Sequence, residues 1–111
     1  MLTVAAMRKI ALALPEAEER EHHGHPDFRV RGKIFATLWP DERRAVLRLG
    51  RLEQAALIEA QPKTYSRAWG ASGWTSVQLD SVAAGEFREL IADAWRGVAP
   101  KRLAATYDGK R

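Results

Sequence analysis

The stretch 27-DFRVRGKIFATLWPDERRAVLRL-49 decides the fold. Apolar residues alternate with polar or aromatic ones in three short runs, which are separated by a turn at Gly32 and a second turn at Pro40 and Asp41. Alternation with a period of two is typical of strands that bury one face, and such short turns favour antiparallel neighbours. The stretch therefore predicts a meander of three antiparallel strands.

Helical periodicity appears on both sides of this meander. Apolar residues recur every three or four positions over residues 3–14, where Thr3 is a candidate N-cap and Pro15 a candidate stop. The same spacing recurs more strongly over residues 82–98, with Ser81 as the candidate cap. Both segments are predicted to be amphipathic helices that pack against the sheet.

Three further segments complete the predicted order of elements. Residues 51–61 read as a short helix ended by Pro62, and residues 73–79 read as another strand. The polar segment 16–26 fits either an edge strand or a loop. The resulting order predicts an α+β fold, a two-layer sandwich in which helices pack on one face of an antiparallel sheet. With 111 residues, the chain is expected to form a single domain spanning residues 1–111.

Strict alternation divides the strand residues between the two faces of this sheet. The face expected to meet the helices comprises Phe28, Val30, Ile34, Ala36, Leu38, Ala45, Leu47, Leu49, Val77 and Leu79. The opposite face is expected to comprise Arg29, Arg31, Phe35, Thr37, Trp39, Arg44, Val46, Arg48, Trp74, Ser76 and Gln78.

The four tryptophans are expected to differ in exposure. Trp74 falls on the outward face and is expected to be partly exposed, whereas Trp95 lies beside the apolar stripe of the last helix and is expected in the core. Trp69 precedes the strand in a loop that contains Gly70 and Gly73. We expect these glycines to wedge the Trp69 ring against the start of the strand, so that Trp69 is more buried than Trp74.

Arginines that alternate with aromatic rings on an open sheet face can neutralise phosphates and stack bases. In this interpretation Arg29, Arg31, Arg44 and Arg48 contact phosphates, Lys33, Lys101 and Arg102 extend the basic patch, and Phe35, Trp39 and Trp74 supply stacking or packing. Two other interpretations remain open. The face can be purely structural, with arginine stems packed over rings, or it can contact a protein or a small ligand.

Composition narrows the classes of partner. The formal net charge of +4 favours a polyanionic partner, and the chain has no cysteine, which excludes disulfides and thiolate chemistry and fits a cytoplasmic protein. No apolar run is long enough to cross a bilayer, so we expect no membrane association. The apolar N-terminal segment is interrupted by Arg8 and Lys9, so it does not resemble a signal peptide.

Catalytic and metal-binding patterns are weak. The segment 22-HHGH-25 offers His22, His23 and His25, but no carboxylate lies at an obvious partner spacing, so we expect neither a metal nor a cofactor. There is no phosphate-binding glycine loop and no nucleophile elbow, and the serines lack a recognisable base. The sequence therefore predicts a protein without enzymatic activity.

Three stretches resemble the MmcQ/YjbR family of small bacterial proteins: LALPEAEEREHHGHPDFRVRGKIFATL (12–38), WGASGWTSVQLD (69–80) and LIADAWRGVAPKRL (90–103). The positions that match the family's pattern are Lys33, Phe35, Gly73, Trp74 and Trp95. The resemblance implies a fold similar to bacterial frataxin (CyaY-like). It also implies DNA binding, since members are commonly labelled so, and one is linked by name to mitomycin resistance.

The resemblance does not bring iron chemistry with it, because the first helix carries Arg8 and Lys9 and no acidic residue before Glu16. We therefore expect a non-enzymatic protein that binds DNA through the outward sheet face and the basic tail. The alternative is a module that binds a small planar ligand or a protein through the same aromatic face.

Overall fold

The structure, a computed structural model, describes residues 1–109. Its elements follow in the order α1 (Val4–Leu12), β1 (Glu18–His22), β2 (His25–Val30), β3 (Lys33–Trp39), β4 (Arg44–Arg48), α2 (Arg51–Ala60), β5 (Tyr65–Trp69), β6 (Trp74–Gln78), α3 (Ala84–Val98) and α4 (Lys101–Gly109). A single turn of 3-10 helix at Pro40–Glu42 joins β3 to β4. The predicted α+β class is confirmed.

Six antiparallel strands form one sheet in the order β1-β2-β3-β4-β6-β5. The predicted meander corresponds to β2, β3 and β4, and the strand predicted at 73–79 is β6. The segment left open at 16–26 contains β1, which forms one edge of the sheet. The other edge is β5, which sequence periodicity did not predict, because its five residues do not alternate regularly between apolar and polar side chains.

Two tight turns set the register of the first three strands. The β1–β2 turn has φ values of +51° at His23 and +85° at Gly24, and the β2–β3 turn has +53° at Arg31 and +82° at Gly32. Positive φ at both central residues defines the type I′ turn, whose twist matches that of the flanking strands. A glycine at the second position of each turn therefore favours these hairpins.

The inner face of the sheet packs against α1 and α3 in one hydrophobic cluster. Leu38, Leu47 and Val77 are fully buried there, as predicted, and so is Trp95, whose indole N–H donates to the carbonyl of Pro15 at 3.0 Å. The helices contribute Met7 and Ala11 from α1 and Phe87, Leu90, Ile91, Ala94 and Val98 from α3. The apolar stripes of both helices are therefore buried against the sheet, as the sequence predicted.

The capping predictions have mixed outcomes. Thr3 caps α1 as predicted, because its hydroxyl accepts a hydrogen bond from the amide of Ala6 at 3.0 Å. Ser81 does not cap α3. That helix begins after Ala83, which has no capping side chain, and the Ser81 hydroxyl lies 2.9 Å from the hydroxyl of Thr64.

A β-bulge in β3 exchanges the predicted faces of two residues. Phe28 lies opposite Ala36, but the next residue, Arg29, lies opposite Ile34, so Phe35 is the extra residue of the bulge. Phe35 is fully buried in the core cluster, whereas Ile34 is only partly buried and lies outside it. The prediction that Phe35 lies on the outward face is therefore wrong, because the bulge interrupts the period-two alternation.

Candidate functional site

The strand register places three rows of side chains on the sheet face opposite the helices, which we call the outer face. One row runs across β3, β4 and β6 and consists of Trp39, Arg44 and Gln78. The middle row includes Thr37, Val46, Ser76 and Ser66. The third row runs across β4, β6 and β5 and consists of Arg48, Trp74 and Trp69.

Aromatic rings form a continuous series on the outer face. The ring centroids of His25 and Trp39 are 3.5 Å apart, those of Trp39 and Trp69 are 6.3 Å apart, and those of Trp69 and Trp74 are 5.6 Å apart. Val46 is fully buried although its strand position directs it away from the core cluster. The rings that meet across β4 and β6 account for this burial.

Trp39 is enclosed within this series. The guanidinium carbon of Arg44 lies 4.7 Å from the Trp39 ring, the imidazole of His25 contacts the same ring, and the indole N–H donates to the hydroxyl of Thr37 at 3.0 Å. Because β2 and β4 flank β3, His25 and Arg44 approach Trp39 from opposite sides. Of the two predicted roles of Trp39, stacking and packing, these contacts support packing.

Trp69 and Trp74 reverse the predicted order of exposure. Trp69 is 41% exposed, whereas Trp74 is partly buried. The prediction that Trp69 is the more buried ring is wrong, because Trp69 ends the edge strand β5 instead of lying in a loop. Trp74 is on the outer face and partly exposed, as predicted. It lies in the interior strand β6, where Trp69 and Arg48 flank it.

The position of Trp74 is fixed from the other side of the sheet. Gln54 of α2 is buried, and its side-chain amide donates to the backbone carbonyl of Trp74 at 2.9 Å and to the hydroxyl of Thr75 at 3.1 Å. Thr75 in turn donates to the carbonyl of Gly73 at 2.9 Å. These bonds hold the start of β6 in place, and no sequence motif marked Gln54 for this role.

Most of the arginines predicted to contact phosphate already have carboxylate partners. Arg29 forms a two-pronged ion pair with the buried carboxylate of Asp27 at 2.9 and 3.0 Å. Arg44 pairs with Glu42 at 2.8 Å, and its hydrogen bond lowers the pKa of the Glu42 carboxyl. Such pairs reduce the positive charge that a polyanion would meet on the outer face.

The remaining basic residues named by the sequence lie elsewhere. Arg31 is at the tip of the β2–β3 turn and pairs with Glu16 at 2.8 Å, which lowers the pKa of that carboxyl. Lys33 lies opposite Val30, whose side chain is in the core. Arg31 shares a shallow pocket with Arg102 of α4, and Lys101 begins that helix. Lys101 and Arg102 lie in α4, in the helical layer, and Lys33 pairs with the inward-facing Val30, so none of the three lies on the outer face; their contact with DNA stays a prediction.

Two arginines without a carboxylate partner were not predicted from the sequence as site residues. Within residues 1–109, the arginines without a carboxylate partner are Arg48, Arg51, Arg67, Arg88 and Arg102. Arg48 lies directly opposite Trp74 on the outer face. Arg51 and Arg67 line one groove of about 710 Å³ beside the 70–73 loop. Arg67 was missed because β5 was not predicted, and Arg51 because it opens a helix that was not assigned to any site.

We define the candidate site as Trp69, Trp74 and Arg48 on the outer face, together with Arg51 and Arg67 in the groove on the α2 side of the edge strand β5. One carboxylate, Glu53, also lines the groove, and burial together with the charge of Asp93 raises its pKa. The arrangement places two partly exposed indole rings beside one cationic group, Arg48, and puts two further cationic groups, Arg51 and Arg67, on the α2 side of the same sheet edge. Such a site is suited to a planar group that carries negative charge.

Neither a cluster of metal ligands nor a membrane-spanning helix occurs in the described part of the chain. No cluster of three or more metal-ligating side chains occurs among residues whose side chains are placed. None of the helices within residues 1–109 is long and apolar enough to cross a bilayer. His25 is in contact with Trp39.

Comparison with solved structures shows the same fold in two other bacterial proteins. A Deinococcus radiodurans protein, DR2400, described as having a DUF419 domain, superposes with a TM-score of 0.82 at 22% identity, over 92% of this chain and 82% of the other. A Pseudomonas syringae protein superposes with a TM-score of 0.61 at 17% identity, over 82% of this chain and 94% of the other. No curated protein matches the sequence. The YjbR family model matches residues 12–97, and the chain belongs to the YjbR family.

Proposed function

We propose that the protein binds single-stranded nucleic acid by stacking bases on Trp69 and Trp74, with Arg48, Arg51 and Arg67 contacting phosphates. The observation that carries the proposal is the 41% exposed ring of Trp69, which lies 5.6 Å from the ring of Trp74 and in the same row as the unpaired Arg48. The proposed activity is binding without catalysis, in the cytoplasm.

Stacking supports a single strand more than a duplex. A base stacked in a duplex offers no free face to an indole, whereas an unpaired base offers two. Each base stacked on an aromatic side chain typically contributes about 1–3 kcal/mol to binding, largely independently of sequence. Because Trp39 is already enclosed by His25 and Arg44, we assign stacking only to Trp69 and Trp74.

Charge limits how many phosphates the site can contact. The pairing of Arg29 and Arg44 with carboxylates leaves Arg48 as the unpaired arginine in the row of the two rings, and a strand that continues past the β5 edge also meets Arg51 and Arg67. For a single strand, each neutralised phosphate contributes about −0.7 to the slope of log K against log salt. We therefore expect a slope of about −2, smaller than that of a protein that tracks a long phosphate backbone.

A small planar anion is the second candidate ligand. The Trp69 and Trp74 rings lie 5.6 Å apart at a tilt of 32°, so together they offer an aromatic surface about the size of one ring system. The small number of unpaired cations also suits a ligand with one negative group. A mononucleotide and an oligonucleotide distinguish these candidates, because only a strand that follows the arginines gains affinity with length.

The test is fluorescence anisotropy of a labelled eight-residue thymidine oligonucleotide, measured at several salt concentrations. Trp69→Ala is expected to weaken binding by about 1–3 kcal/mol, and Arg48→Ala to reduce the magnitude of the salt slope by about 0.7. Arg102→Ala is the matched control, since Arg102 is also unpaired but lies on α4. The proposal fails if Trp69→Ala binds as tightly as the wild type, or if no binding is observed. Equal affinity for thymidine monophosphate and the oligonucleotide favours the small ligand.

A further inference from the structure

A separate groove lies in the helical layer, on the side of the sheet away from the outer face. It has a volume of about 410 Å³ and runs between α1, α3 and α4. Its walls are mostly aliphatic and come from Leu2, Ile10, Leu14 and Ile91, and Tyr107 of α4 also lines it. This volume falls within the range typical of small-molecule sites, about 300–1,000 Å³.

The charges around this groove all have the same sign. Lys9 of α1 and Arg88 of α3 line it, and no carboxylate does so among the described residues. Neither the Lys9 nor the Arg88 side chain forms a hydrogen bond or an ion pair within residues 1–109, and both residues are exposed. By contrast, Arg8 and Arg96 on the same two helices have carboxylate partners at 2.9 and 2.7 Å.

We propose that this groove binds a small amphiphilic anion, a carboxylate with an unbranched or aryl apolar body, whose charged group lies between Lys9 and Arg88. Apolar walls favour the hydrocarbon part of such a ligand, and two cations without partners favour its carboxylate. A neutral hydrocarbon would leave both cations without a counter-charge. A cationic amphiphile would be repelled by both.

The site is independent of the proposed nucleic-acid site. Lys9 and Arg88 belong to helices that pack on the inner face, whereas Trp69 and Trp74 lie on the outer face. A long polyanion would also gain little from the aliphatic walls, because phosphates and bases are strongly polar at their edges. The groove therefore selects a different chemical class of ligand, and each site can be tested without the other.

The test is isothermal titration of the whole protein with decanoate, decanol and decyltrimethylammonium, each kept below the concentration at which it forms micelles. Decanoate is expected to bind at one site, and decanol and the ammonium compound at least about tenfold more weakly. Affinity should rise up to about fourfold for each added methylene from hexanoate to decanoate, because each buried methylene adds apolar area.

Variants locate the binding within the molecule. Ile10→Trp, which fills the groove from a partly exposed position, should abolish decanoate binding. Lys9→Glu combined with Arg88→Glu should weaken it by at least about tenfold. The matched control is Lys101→Glu combined with Arg102→Glu, which removes the same charge from α4 outside the groove. The proposal is overturned if decanoate shows no saturable binding, if decanol binds equally well, or if the control lowers affinity as much as the Lys9 and Arg88 change.

Discussion

The backbone of Gly73 passes so close to Leu49 that a Cβ atom on Gly73 would lie 2.0 Å from the carbonyl oxygen of Leu49. Gly73 has a φ of +92°, and its own carbonyl accepts a hydrogen bond from the amide of Leu49 at 3.1 Å. A glycine is therefore required at this position, because the backbone before β6 lies against the backbone that follows β4 and leaves no room for a side chain. It does not serve to seat the Trp69 ring, which was the sequence-based explanation.

The first prediction is that Gly73→Ala destabilises the protein by more than about 2 kcal/mol, because a strained φ and a backbone clash act together. Gly70→Ala is the control. Gly70 also has a positive φ of +65°, but nothing lies within 4 Å of a Cβ atom there. We expect Gly70→Ala to lower the free energy of unfolding by only about 1–2 kcal/mol. Urea unfolding of both variants checks this, and equal losses would show that φ alone matters at Gly73.

The β-bulge at Phe35 shows where reasoning from sequence stops. Hydrophobic alternation located the strands β2, β3, β4 and β6 and correctly placed Leu38 and Val77 in the core. It could not locate a bulge, because a single extra residue leaves no mark in a pattern where both Ile34 and Phe35 are apolar. As a result, the sequence predicted Ile34 in the core and Phe35 on the outward face, whereas the structure shows the reverse.

The second prediction tests this exchange. Phe35→Ala is expected to destabilise the protein by about 3–5 kcal/mol, as for a large ring removed from a core. Ile34→Ala is expected to lose about 1 kcal/mol or less, since Ile34 is only partly buried and lies outside the core cluster. The free energy of unfolding in urea measures both. A larger loss of stability for Ile34→Ala than for Phe35→Ala would contradict the bulge and would indicate that Ile34, not Phe35, faces the core.

The candidate site was only partly predictable. The alternation correctly placed Trp74 and Arg48 on one face, because both lie in regular strands with a clear pattern. Trp69 and Arg67 were missed as members of that site, since the edge strand β5 is short and lacks alternation between apolar and polar residues. Ion pairing could not be read from the sequence either, because the partner of Arg44 depends on the geometry of the Pro40–Glu42 turn.

The third prediction separates packing from binding among the tryptophans. Trp39→Ala is expected to destabilise the protein by about 2–3 kcal/mol, because it removes a ring enclosed by His25 and Arg44 and exposes Val46. Trp69→Ala is expected to change the free energy of unfolding by about 1 kcal/mol or less, as for an exposed residue on an edge strand. Denaturant melts with circular dichroism detection compare the two. A larger loss for Trp69→Ala would show that its ring supports the fold.

The fourth prediction concerns stability at alkaline pH. Tyr65 is almost fully buried in β5, and its hydroxyl donates a hydrogen bond to Glu86 of α3, which also accepts one from Gln61 at 3.0 Å. Burial raises the pKa of the Tyr65 hydroxyl, and the hydrogen bond and charge of Glu86 raise it further. In the unfolded chain the pKa of tyrosine is about 10.

Because the pKa of Tyr65 is higher in the folded state, its contribution to stability is complete below about pH 10 and is lost as the pH rises above that value. We expect the free energy of unfolding of the wild type to fall more steeply between pH 9 and 11.5 than that of Tyr65→Phe. At pH 8 the variant should be less stable by about 1 kcal/mol, through loss of the hydrogen bond. The Glu86→Gln variant should still lose some stability at alkaline pH, since burial contributes more than Glu86 to the raised pKa of Tyr65. Parallel curves for the wild type and Tyr65→Phe would show that ionisation of Tyr65 does not limit stability at high pH.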